Sequence, residues 1–147
     1  MKKQRILWMV LFIAAVLLIF AACSSQNSRR NRVRRLYQKN EASFTQAALG
    51  NDFASLEKVS GILEVKTENE HVDIRCRAGG FASETCYCGI FYSEKDDLLA
   101  ECFSPVPENT EKLEADGSGY RYREPGGDNQ YYVESLGNHY FYYETRY

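Results

Sequence analysis

The stretch QYYVESLGNHYFYYET, Gln130–Thr145, decides the fold. Both halves are rich in aromatic and β-branched residues, and Gly137-Asn138 between them accepts positive φ, so the reading is a hairpin of strands Gln130–Leu136 and His139–Thr145. Successive strand residues face opposite ways, so the doublets Tyr131-Tyr132 and Tyr142-Tyr143 must line both faces of the final sheet.

Outward from that hairpin the alternating period continues. His71–Arg77 puts Val72, Ile74 and Cys76 inward and His71, Asp73, Arg75 and Arg77 outward. Gly61–Thr67 sets Leu63, Val65 and Thr67 on one face, with a turn at Glu68-Asn69-Glu70. Thr85–Tyr92, Leu98–Phe103 and Tyr120–Arg123 complete the strands, while Pro105, Pro107 and Pro125 break the ladder. Glu108–Gly119, acidic and glycine-bearing, reads as a mobile loop. Upstream the period becomes helical. Val33, Tyr37, Phe44 and Ala47/Ala48 share one stripe of a helix over Arg29–Gly50, interrupted at Asn40 and stopped at Gly50-Asn51. Phe53, Leu56 and Val59 follow as a short helix or packed loop. The fold class is therefore α+β, an N-terminal helix packed on a curved antiparallel meander of six or seven short strands. Its shape is similar to cystatin-like folds, an architectural likeness that implies no activity.

The first 40 residues hold nine basic side chains and no acidic ones, whereas the rest hold nine basic and twenty acidic. An acidic body excludes nucleic acid as partner, because that ligand needs a basic folded face. Lys2, Lys3 and Arg5 precede the apolar run Ile6–Phe20, which ends in Phe20-Ala21-Ala22-Cys23 and the polar tether Ser24–Ser28. This order resembles the signal peptide and lipobox of bacterial lipoproteins. The resemblance implies cleavage before Cys23, lipidation of Cys23, and attachment at the outer face of the cell membrane. Residues 1–22 are then the signal, 23–35 the lipidated cysteine with a basic stalk Arg29–Arg35 lying on the membrane, and 36–147 one domain. Phe20 departs from the aliphatic residue usual at that position. Five arginines follow the run against three basic residues before it, the charge bias of an uncleaved, membrane-spanning anchor.

Cys88–Ser93 and Asp128–Glu144 resemble segments of small exported proteins of clostridia-type bacteria. That resemblance implies location and architecture and carries no catalytic residue across. Cys76, Cys86, Cys88 and Cys102 are an even set that can form two disulfides or remain buried thiols. Cys86-Tyr87-Cys88 lacks the two-residue spacing of zinc knuckles and redox motifs, so no metal or cofactor is expected.

Three functions remain open. The first is a non-catalytic interaction module of the cell envelope, binding a glycan or a protein through Tyr131, Tyr132, Tyr140, Tyr142 and Tyr143 on an exposed sheet face. The second is a small envelope hydrolase using the carboxylates Glu134 and Glu144, or a cysteine with His71 or His139. The third is a structural or inhibitory lipoprotein with an uncleaved anchor.

Overall fold

The computed structural model describes residues 29–68, 71–76, 86–99 and 106–147. The chain divides into two units, Met1–Arg32 and Val33–Tyr147. Of the first, residues 29–32 are helical. The apolar run Ile6–Phe20, Cys23 and the tether lie outside the described residues. Among the described residues no helix is long and apolar enough to cross a membrane.

The second unit begins with helical residues 33–39 (α1) and continues as α2, Glu41–Gly50. The single helix expected from the sequence is broken at Asn40, the polar gap in its stripe. Asn40 leaves helical geometry, and its Nδ2 donates to the Leu36 carbonyl at 2.8 Å, a local bond that competes with the helix ladder. Asn51 stops α2 in the left-handed conformation (φ 49°), with its N–H donating to the Ala48 carbonyl. A 3₁₀ segment, Phe53–Lys58, buries Phe53 and Leu56.

Among the described residues seven strands follow: β1 Ile62–Glu68, β2 His71–Cys76, β3 Cys86–Ser93, β4 Glu114–Asp116, β5 Gly119–Arg123, β6 Gln130–Gly137 and β7 Tyr140–Arg146. They form one antiparallel sheet in the order β1-β2-β3-β7-β6-β5-β4. The protein is mixed α+β and mostly sheet. The order is not one meander. Two meanders, β1–β3 and β4–β7, meet where β7 pairs with β3 from Cys86↔Arg146 to Tyr92↔Tyr140.

Four details differ from the sequence reading. Leu63 is 54% exposed, because a bulge between Ile62 and Glu64 turns Ile62 inward instead. Glu108–Gly119 contains β4, which pairs with β5 from Glu114↔Arg121 to Asp116↔Gly119. Leu98 and Leu99 are not in a strand, and the rest of that expected strand lies outside the described residues. The last turn is centred one residue later than expected, on Asn138-His139, since Gly137 pairs with Tyr140.

Both faces of the sheet are covered. On one, Val72, Ile74, Cys76, Cys88, Ile90, Tyr132, Tyr140 and Tyr142 are buried in a cluster that also holds Val33, Tyr37, Phe44, Ala47, Phe53 and Leu56. Within it, Phe44 and Tyr140 meet edge to face at 5.2 Å, and the Tyr140 hydroxyl donates to the Phe44 carbonyl at 2.7 Å. Such a ring pair contributes about 0.5–1.5 kcal/mol beyond its buried area. On the other face Phe91, Tyr131, Val133, Phe141 and Tyr143 form a second cluster, capped by Leu98, Val106, Leu113 and Tyr122. This cover buries His71 and Asp73, whose parity alone had placed them in solvent.

Candidate functional site

The expected tyrosine platform does not exist as a surface. Tyr131, Tyr132, Tyr140, Tyr142 and Tyr143 are all buried, none more than 3% exposed. The inference that one sheet face stays open failed because Leu98, Val106 and Leu113, from loops without strand periodicity, cap that face. Each ring has an internal role for its hydroxyl. Tyr131 donates to the Leu98 carbonyl (2.8 Å), Tyr132 to Glu134 Oε2 (2.9 Å), Tyr142 to Glu144 Oε2 (3.0 Å) and Tyr143 to Asp73 Oδ1 (2.8 Å). Burial pushes the phenols of Tyr140 and Tyr142 upward from their ordinary range, and the Glu144 carboxylate adds to the effect at Tyr142.

The carboxylates Glu134 and Glu144 do share a sheet face on adjacent strands, as an acid–base pair would need, but both are buried and ion-paired. Arg34 of α1 reaches Glu134 Oε1, and Arg146 grips Glu144 Oε1 through Nε and Nη2 at 2.9 and 2.8 Å. These bonds fix charge in the core. Cys76, Cys86 and Cys88 are thiols, and Cys102 lies outside the described residues. Cys86 Sγ donates to Glu144 Oε1 at 3.7 Å. Burial, with the neighbouring Cys88 and Asp73, pushes the Cys76 thiol up to about 12, far from a nucleophile's range. His71 sits against Phe91, ring centroids 6.0 Å apart, on the face opposite Cys76. Among the described residues no His, Cys, Asp and Glu cluster could hold a metal ion.

The residues that do converge on open space lie at the β6–β7 turn. Asp96, Leu98, Tyr120, Ser135, Asn138, His139 and Phe141 line a shallow, open cleft of about 560 Å³. Three of them have left-handed backbone. Asp96 (φ 55°) and Asn138 (φ 52°) are of types that adopt it readily, whereas at His139 (φ 65°) the side chain costs roughly 1–2 kcal/mol. A two-residue turn of this type favours Asn-Gly, and here histidine takes the second position. Its imidazole is held there: His139 Nδ1 lies 2.9 Å from Asp96 Oδ1, and the ring stands edge-on to Tyr92 at 6.2 Å. A carboxylate only accepts, so a neutral imidazole must present Nδ1–H to Asp96 and keep Nε2 as an acceptor.

The turn that carries Asp96 is held as well. Ser93 is buried, and its Oγ accepts from Asp97 N–H at 3.0 Å. Asp97 Oδ1 accepts from Leu99 N–H at 2.9 Å, and Tyr131 donates to the Leu98 carbonyl. Tyr120, 44% exposed, stands over this space, and buried Phe141 forms part of its lining. Sequence reasoning did not bring Asp96, Tyr120 and His139 together, and treated His139 only as half of a cysteine pair. Compared with protein-family models, with curated proteins and with solved structures, the chain matches none of them.

Proposed function

We propose that the chain is a lipid-anchored, extracytoplasmic interaction module of the cell envelope that binds without catalysis. In this reading the signal is cleaved, lipidated Cys23 and the arginines of the stalk Arg29–Arg35 other than Arg34, which pairs with Glu134, hold the protein to the membrane, and the amino-terminal helix lies over a curved sheet. The observation that carries the binding role is the cleft beside Asn138-His139, where the strained His139 and the left-handed Asp96 and Asn138 surround one concavity. The binding surface moves accordingly from the buried tyrosines to this cleft. Phe20-Ala21-Ala22-Cys23 supports the address.

Metabolic labelling with a clickable fatty-acid analogue tests the anchor, comparing wild type with Cys23→Ser. Labelled wild type and unlabelled variant are expected. Unlabelled wild type, still membrane-bound at full length, would replace the lipoprotein by a protein with an uncleaved spanning anchor.

A further inference from the structure

We infer that Asp96, His139 and Tyr120 form a subsite for one uncharged sugar unit of an envelope glycan. This deepens the interaction-module reading and rests on it. The chemistry of the lining selects the ligand. Asp96 gives one oxygen to His139, while its side chain, 61% exposed, leaves the other in water, able to accept from a ligand hydroxyl. The imidazole, 48% exposed, presents its second nitrogen as an acceptor or donor, and the Ser135 hydroxyl lines the same space. Exposed Tyr120 offers ring surface to the C–H groups of a pyranose. Hydroxyls at the edge of a ring with apolar faces suit that combination.

Charge argues against anions. The Asp96 carboxylate lines the cleft, so an anionic group entering here meets a like charge. Size argues against a protein partner. A cleft of about 560 Å³ holds a small unit, whereas a stable protein interface covers roughly 800 Å² per partner. The bonds from Ser93, Asp97 and Tyr131 fix the wall before any ligand arrives, which lowers the ordering cost of a weak, polar ligand.

Saturation-transfer NMR on the full chain in detergent micelles tests the subsite. The probes are methyl pyranosides of glucose, galactose, mannose and N-acetylglucosamine, with glucuronate and ethanolamine as charged comparisons. At least one neutral pyranoside is expected to bind. Asp96→Asn and Tyr120→Ala are each expected to weaken it about tenfold or more, the loss of a charge-assisted hydrogen bond or of ring contact. Tyr87→Ala, an exposed tyrosine outside the cleft, should leave binding unchanged. Asp96 and Tyr120 are exposed, so unchanged melting temperatures confirm folded variants. Binding of neutral pyranosides equal in wild type and the D96N/Y120A double variant, no binding at all, or tighter binding of either charged probe overturns the subsite. Such a failure with Cys23 labelling intact leaves the lipid-anchored module standing, whereas failed labelling leaves the sugar result untouched.

Discussion

Tyr143 lies across Gly89 on the neighbouring strand, its hydroxyl 2.8 Å from where a Cβ would stand, and donates beyond it to Asp73 Oδ1 at 2.8 Å. One side chain thereby spans β7, β3 and β2, and only a residue without a Cβ lets it pass. A Cβ at Gly89 would also stand 2.6 Å from the Ile74 carbonyl, a backbone atom that cannot yield cheaply. Gly89→Ala is expected to cost about 1–3 kcal/mol through overpacking. Tyr143→Phe, which keeps the ring but removes a donor from a buried carboxylate, should cost a similar 1–3 kcal/mol. Urea unfolding of both variants and their combination checks this; because Gly89→Ala already displaces the hydroxyl, the double variant should cost less than the sum.

Arg34 and Glu134 are 100 residues apart in sequence, yet the guanidinium supplies the counter-charge to a carboxylate only 5% exposed. Arg34 itself is 36% exposed, so water screens part of the attraction. Arg34→Ala is expected to destabilise by about 1–3 kcal/mol, chiefly by leaving a buried charge under-compensated. Adding Glu134→Gln should recover part of that loss by neutralising the carboxyl. A second substitution that deepens the loss would refute the charge-based account.

Period-two alternation found six of the strands because β2, β3, β6 and β7 each carry clear patterns of apolar and aromatic residues. It could not find β4, Glu114–Asp116, whose three residues have no buried apolar face to announce them. Nor could it see the bulge that ejects Leu63, since an extra residue changes the parity without changing the composition. The same limit misplaced His71 and Asp73. Parity gives the side of a sheet, but whether that side is wet depends on what covers it, and Leu98, Val106 and Leu113 come from outside the strands. The cleft was illegible for a related reason. Asp96 and His139 stand 43 residues apart and belong to two turns that only the β3–β7 pairing brings side by side.

Stability should fall as the solution turns alkaline. Burial holds the Cys76 thiol up to about 12 against an ordinary value near 9, and raises Tyr37, Tyr140 and Tyr142 above their ordinary 10. Below about pH 9 these groups are protonated in both states and contribute no slope. Between about 9 and 12 the unfolded chain releases protons that the folded chain retains, so each added pH unit favours unfolding. Denaturant midpoints at pH 7.5, 9 and 10.5 should therefore be level at first and then decline. In Cys76→Ala, whatever its starting stability, the decline should be shallower.

The Asn138-His139 turn trades stability for a placed imidazole, and two substitutions separate the two quantities. His139→Gly relieves the left-handed backbone strain, worth roughly 1 kcal/mol, and loses an exposed hydrogen bond to Asp96 worth about 0–1 kcal/mol. The expected net effect is neutral to about 1 kcal/mol stabilising, and thus a melting temperature unchanged or a few degrees higher. His139→Ala keeps the strain and loses the ring, so it should melt below both wild type and the glycine variant. Pyranoside binding should weaken in both, because both take the imidazole from the cleft. A glycine variant as unstable as the alanine variant would mean that the turn stores no strain. The histidine would then be held at φ 65° by its contacts with Asp96 and Tyr92 at no backbone cost.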